Sequence, residues 1–236
     1  MEKEFAITNA PEDLDKEQVK AKTKKLISQL NDQLKKINAE KKHSVLVVLQ
    51  GMDAAGKDGT VKNVFGHLNM RYCYSVAFKK PTAEELSHDF LWRVHRYAPQ
   101  KGSLCVFNRS HYEDIIVPEV HELKKKEALK KRYININNFE MMLQDEGTVI
   151  LKFFLNVSRN EQSARFKERL ENPAKRWKYD PADVEEAKLW DRYMKTYQNI
   201  VKKCDAVPWI VVPADQKWYR NYVISKALTE ALGEYT

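Results

Sequence analysis

Val45-Leu46-Val47-Val48-Leu49 runs straight into Gln50-Gly51-Met52-Asp53-Ala54-Ala55-Gly56-Lys57-Asp58-Gly59-Thr60, and this stretch decides the fold. Its first five residues are β-branched or Leu with no polar alternation, the pattern of a strand buried on both faces in a parallel sheet. Gly51, four residues, then Gly56-Lys57 is the spacing of a phosphate-binding loop. Small residues let the backbone curl so that several N–H groups point inward. A helix beginning at Lys57 adds the field of its N-terminal dipole. Lys57 supplies a point charge for terminal phosphates. The expected phosphate contacts are Gly51, Ala54, Ala55, Gly56, Lys57, Asp58, Gly59 and Thr60.

One position departs from the common pattern. Asp58 follows the lysine, where a Ser or Thr hydroxyl normally helps hold Mg²⁺. The metal must then be held another way. Asp53 is the first candidate, because Mg²⁺ prefers carboxylate oxygens and water; Thr60 is the second.

Upstream, residues 11–42 predict a helix in which Leu26, Ile27, Leu30, Leu34 and Ile37 draw one apolar stripe. Downstream, a helix is expected over 57–70 and a second strand at Tyr74, Val76 and Phe78. Lys79 and Lys80 follow at the strand's carboxyl end, where open parallel sheets bind ligands. Thr82 and Glu85 form a capping box that starts a helix running to about Tyr97. In it Trp92 and Val94 read as core, and at least one of Arg93, His95 and Arg96 is expected to face the anion site.

Ser103–Phe107 is the third strand and ends in Asn108-Arg109-Ser110-His111-Tyr112-Glu113-Asp114. A phosphate-binding-loop enzyme carries its second motif here, with a metal-organising residue at the strand end. Asn108 holds that position, and Arg109 points into the same crevice. A long helix over 119–145 follows, with Leu123, Leu129, Ile136, Phe139 and Leu143 as its apolar face and Gly147 as its terminator. The fourth strand spans 148–157. Ser158 and Glu161 make another capping box, for a helix that carries Arg165 and Arg169 and yields at Asn172-Pro173. The basic, aromatic segment from Ala174 to Pro181 suits a lid, over about 165–185, that closes on phosphates. A helix over 182–203, a fifth strand at 207–212 and a closing helix over 217–232 complete the chain.

Strands and helices therefore alternate five times. The expected architecture is α/β: a P-loop kinase-like three-layer sandwich with a five-stranded parallel sheet, helices on both faces and a helical lid. Residues 1–236 read as one domain, with 1–43 as an N-terminal helical extension.

Composition bounds the function. The 236 residues are 43% apolar and 31% charged, as in a soluble globular protein. Apolar runs are only strand-length, and the charged N-terminus lacks the apolar core of a signal peptide. Cys73, Cys105 and Cys204 fit no disulfide framework or zinc pattern and read as reduced, in a cytoplasmic protein. The net charge of +8 implies an anionic partner without naming it.

A phosphate loop, a polar second motif and a basic lid make a phosphoryl-transfer site, whose chemistry is positioning and charge neutralisation. Lys57 would hold donor phosphates and Asp53 would hold Mg²⁺ or orient the attacking oxygen. Arg109, Arg169 and Arg176 would offset charge on the transferred group. Three segments sharpen this. Gly51 to Gly59, Asn108 to Asp114, and Arg169 to Lys178 each resemble a motif of the polyphosphate kinase 2 family, in the family's order. The resemblance spans roughly residues 10 to 232. It implies Mg²⁺-dependent transfer (Mn²⁺ being the other candidate metal) between inorganic polyphosphate and AMP, ADP, ATP or guanine nucleotides. It maps the family's functional positions onto Asp53, Lys57 and Arg109, and the lid's basic residues onto Arg169, Lys175, Arg176 and Lys178. Lys79, Lys80 and Arg93 become candidates for a polyphosphate track. Asn108, where some members have Asp, resembles the subgroup that phosphorylates AMP as well as ADP. With an N-terminal helix expected to be exposed, the resemblance also makes a homodimer or homotetramer the expected assembly.

The alternative enzyme is an ATP-dependent nucleoside monophosphate kinase of the P-loop class, which needs no polyphosphate. A GTPase switch is excluded because no Asn-Lys-x-Asp motif is present. Nucleic-acid binding lacks an aromatic strand surface, and no membrane partner is expected.

Overall fold

In the computed structural model, which describes residues 2–235, the chain opens with α1 (Glu2–Phe5), α2 (Lys16–Glu40), β1 (Ser44–Gly51), α3 (Lys57–Asn63) and β2 (Cys73–Ala77). It continues through α4 (Ala83–Ser87), α5 (Trp92–His95), β3 (Leu104–Asn108), α6 (Glu113–Val120), α7 (Lys126–Asp145) and β4 (Thr148–Asn156). Last come α8 (Arg159–Glu171), α9 (Pro181–Ala187), α10 (Trp190–Lys203), β5 (Trp209–Pro213) and α11 (Lys217–Gly233).

The strands pair in the order β2-β3-β1-β4-β5, every pair parallel. The apolar run Val45–Leu49 is central: Val45 sits between Leu104 and Val149, and β1 is buried at every residue. Each of these side chains contributes about 1.5–3 kcal/mol by leaving water. β2 lies at an edge, and its Tyr74 and Ser75 are exposed, which accounts for its weaker sequence pattern. The chain leaves β1 over β3 to reach β2, and returns from β3 over β1 to β4. Right-handed crossovers send these two connections to opposite faces. A crevice opens between them at the carboxyl ends of β1 and β3.

The helices are broken more often than periodicity suggests. α2 starts at Lys16, because the Asp15 carboxylate accepts the Gln18 N–H at 2.6 Å. Its stripe (Ile27, Leu30, Leu34 and Ile37) is buried against α11, where Gln33 Nε2 donates to the Thr229 carbonyl at 3.0 Å. The stripe is thus used within the chain and gives no reason by itself to expect a second subunit. The helix expected over 57–70 stops at Asn63, whose amide donates to the Gly59 carbonyl, and a 3₁₀ turn over Phe65–His67 follows. The Thr82–Glu85 box forms as expected. Its helix is nonetheless interrupted, because Asp89 Oδ1 accepts the N–H groups of Leu91 and Trp92 and restarts the chain as α5.

The helix expected over 119–145 is two helices, parted at Glu122 with φ +55; Leu123 fits the period but lies in the break, 66% exposed. Gly147, at φ +87, does terminate α7. The Ser158 box is half made: its hydroxyl accepts the Glu161 N–H, but Glu161 pairs with Arg165 and the Ser158 N–H goes to Asp215. The helix expected over 182–203 divides into α9 and α10. All three cysteines are free and buried. Among the described residues no helix is long and apolar enough to cross a membrane.

Candidate active site

The loop between β1 and α3 is stretched across the crevice and held from behind. Gly56 has φ +107, a conformation that disfavours any side chain. A Cβ there would also fall 1.9 Å from Arg220 Nη1. Arg165 fixes the loop: its Nη1 donates to the carbonyls of Ala54 and Ala55 at 2.8 and 2.9 Å, and its Nη2 to those of Ala214 and Asp215. Gln162 Nε2 donates to the Asp53 carbonyl. Lys57 is buried and reaches back across the loop to the carbonyls of Gly51 (2.7 Å) and Met52 (3.2 Å). Burial and then the neighbouring Arg109 charge lower its pKa. Two expected contacts are not presented. Thr60 is buried, and its hydroxyl donates to the Gly56 carbonyl, as helix backbonding requires. The Ala55 N–H is taken by Met52 within the loop.

At the end of β3, Asn108 Nδ2 donates to Asp58 Oδ1 at 2.7 Å. Arg109 sits at φ +60, a strained setting for an arginine, and Nη2 meets Asp53 Oδ1 at 2.6 Å. Burial works against its charge, but Glu113 and Asp53 outweigh burial and raise its pKa. Burial raises the pKa of Glu113, with Arg109 and Lys57 opposing.

The turn after Arg109 is anchored by a buried polar cluster in the core, closed around Lys152 but leaving His111 Nδ1 without a partner among the described residues. Lys152 Nζ donates to Glu140 Oε2 (2.6 Å), Tyr112 Oη (2.8 Å) and the Cys204 carbonyl (2.9 Å). The Tyr112 hydroxyl donates to Glu140 Oε1, which also meets His111 Nε2. Burial raises the Glu140 pKa, but His111 and Lys152 lower it by more.

Two cavities meet at the loop and share Asp53, Lys57, Arg109 and Asp183. The larger, about 650 Å³, is a groove in which basic side chains outnumber acidic ones ten to four. Lys79, Lys80, Arg165, Arg169, Lys175, Lys178, Lys217 and Arg220 line it. The smaller, about 240 Å³, is walled by Met52, Val117, Tyr193 and Tyr197, with Glu113, His121 and Glu186 as its polar groups. Glu186 accepts from the Tyr193 hydroxyl at 2.7 Å and lies 3.0 Å from His121 Nε2, tying α9 to the end of α6. The basic segment lies over the groove. Arg169 pairs with Asp183 at 3.0 Å, Lys175 with Glu168, and Lys178 lies over the exposed ring of Trp177.

A model of the polyphosphate kinase 2 family matches residues 13–235. The chain belongs to this family. A relative from Meiothermus ruber, an AMP/ADP-polyphosphate phosphotransferase, is 49% identical over 209 residues, 86% of this chain and 78% of the relative. An ADP-polyphosphate phosphotransferase from Rhodopseudomonas palustris is 39% identical over 220 residues, 87% of this chain and 76% of the relative. The crystal structure of polyphosphate kinase 2 from Arthrobacter aurescens TC1 superposes with a TM-score of 0.92 at 39% identity, covering 94% of this chain and 81% of that one. As a member of this polyphosphate kinase family the chain is a phosphotransferase, on a P-loop α/β fold.

Against that family background, the structure gathers Asp53, Lys57, Asp58, Asn108, Arg109, Arg169, Lys175 and Lys178 around the groove. It does not bring in Arg176, which is exposed and lines neither cavity. Arg93 is buried behind the groove, donating to the Lys79 carbonyl and to Asp114, so it holds the backbone of Lys79. Sequence reasoning missed Arg165, Lys217 and Arg220 on the groove side, and Glu113, Gln162, Asp183, Glu186, Tyr193 and Tyr197 on the other. Glu113 was visible in the second motif, and Lys217 and Arg220 break the usual preference for acidic residues in a helix's first turn. Among the described residues no three His, Cys, Asp or Glu cluster as a metal site. The donors fit Mg²⁺ all the same, because that ion commonly takes one or two carboxylates and completes its shell with water and substrate phosphates.

Proposed function

We propose that the chain transfers the terminal phosphoryl group of inorganic polyphosphate to AMP and ADP, reversibly, with polyphosphate in the basic groove and the nucleotide in the smaller cavity. The observation that carries this is the contrast between the two cavities across shared catalytic groups. A long polyanion needs a run of cations, which the groove offers from Lys79 to Lys217. A nucleoside needs apolar and aromatic walls with a few polar groups, which Val117, Tyr193, Tyr197 and Glu186 supply.

Lys57 and Arg109 stand where the two substrates would meet. They would neutralise charge on the phosphoryl group in flight, with Arg169 closing from the lid. Arg109 would release or share Asp53 when phosphates arrive. Asp53 would hold Mg²⁺, which supplies charge neutralisation between the phosphates. Helix α9, carrying Asp183 and Glu186, would exclude water from the acceptor. AMP use rests on the Meiothermus ruber relative's specificity. Asn108 itself faces the groove, where its amide holds Asp58; an aspartate there would set two carboxylates against each other.

The test is product analysis with Mg²⁺, long-chain polyphosphate and AMP, ADP or GDP. ATP formed from ADP, and ADP and ATP formed from AMP, are expected. No product without added ATP, but ADP from ATP plus a nucleoside monophosphate, would return the chain to the ordinary nucleotide kinases.

A further inference from the structure

Arg220 is kept at an energetic disadvantage for which the fold alone gives no reason. Its side chain is 1% exposed. A buried guanidinium is normally paired with a carboxylate, yet among the described residues Arg220 takes part in no ion pair. Its contacts are all to neutral oxygens: Nη2 donates an ordinary bond to Asn221 Oδ1 at 3.0 Å, while Nε reaches the same oxygen at 3.3 Å and Nη1 the Ala55 carbonyl at 3.4 Å, both long. Arg165 beside it has all three guanidinium nitrogens engaged and Glu161 as counter-ion. Like charges at this spacing repel, and burial together with Arg165 lowers the Arg220 pKa to about 10. Its place in the fold adds a third cost. Arg220 and Lys217 occupy the first turn of α11, the positive end of a 17-residue helix, with no acid in that turn.

These three costs would be offset by one anion on the groove side. The guanidinium lies directly behind two residues without side chains. A Cβ on Gly56 would meet Nη1 at 1.9 Å and one on Gly59 would meet Nη2 at 3.3 Å, and all three residues line the groove. We infer that Arg220 is a phosphate-binding residue, held without a counter-ion behind the phosphate loop so that a phosphate of the polyphosphate chain completes its charge. This deepens the groove assignment above and rests on it. On this view Gly56 is required for the loop's curl and also so that the guanidinium can approach.

The sign of a stability change separates binding from framework. Wild type, Arg220→Met and Arg220→Lys are melted with and without long-chain polyphosphate at matched ionic strength, and KM is measured for polyphosphate and AMP. Without polyphosphate, Arg220→Met should melt at or above wild type, because an uncompensated buried charge is gone. Its polyphosphate-induced rise in Tm should fall to less than half the wild-type rise. Its KM for polyphosphate should rise about tenfold with the AMP value unchanged, and Arg220→Lys should recover part of both. A methionine variant that melts lower than wild type, or does not fold, overturns the inference and makes Arg220 a framework residue. A full polyphosphate-induced rise in that variant overturns it too. A wild-type Tm indifferent to polyphosphate would overturn the groove assignment itself.

Discussion

Lys152 and Arg220 are both buried cations, and they are kept in opposite ways. Lys152 is closed off: Glu140, Tyr112 and a backbone carbonyl occupy its three donors, all within 2.9 Å. Arg220 is left open: among the described residues it meets no carboxylate, only neutral oxygens at 3.0 to 3.4 Å. Lys57 belongs with Arg220, since among the described residues its hydrogen-bond partners are carbonyls. Burial alone therefore does not set how a cation is kept: the protein neutralises Lys152 with a carboxylate of its own and gives Lys57 and Arg220 neutral partners. The closed cluster backs the turn that carries Arg109. The open cations line the basic groove.

The comparison breaks if removing an open cation costs folding while removing a closed one costs only activity. Lys57→Ala should lower kcat about 10³-fold or more, with a Tm close to wild type, as steady-state kinetics and melting would check. Glu140→Gln should act on folding. It leaves Lys152 uncompensated in the core and should destabilise by about 3–5 kcal/mol in urea unfolding. Replacing both, as Lys152→Met/Glu140→Leu, should recover most of that loss, because an apolar pair of similar size removes the unpaired charge.

A smaller effect sharpens the contrast through pH. Burial raises the Glu113 pKa, so the folded state binds this proton more tightly than the unfolded chain. The sign is then fixed: its contribution favours folding at low pH and is lost as pH rises from the ordinary carboxylate range through the raised value. Glu113→Gln should flatten that part of the Tm-versus-pH curve, with the variant gaining on wild type as pH rises. For Glu140, whose pKa is lowered, the dependence is opposite: its contribution is present above the unfolded value and lost as pH falls through the folded one.

The fold was legible because its signals are local. A fully buried central strand shows as an unbroken apolar run, and the loop's glycines and lysine declare themselves by spacing. Lys57, Asp53 and Arg109 could be read because strand ends in a parallel sheet converge at one edge. Arg165 and Tyr197 could not, since each is an ordinary helical residue until the fold carries it to the loop, and Arg220 showed only as a base in a helix's first turn. The break at Glu122 was hidden because Leu123 keeps the helical period although the chain turns left-handed at Glu122 and the Leu123 N–H closes on the Pro118 carbonyl. The position of Arg176 outside both cavities was not legible, because a basic lid segment says nothing of which way each side chain faces.

The most direct test of the account is the pair of KM values of a Lys79→Gln/Lys80→Gln variant, two groove lysines far in sequence from the loop. The KM for polyphosphate should rise several-fold, about 1 kcal/mol or less per exposed charge, while the KM for AMP stays at its wild-type value. A raised KM for AMP with polyphosphate unaffected would put the nucleotide in the groove and contradict the division of the site proposed here.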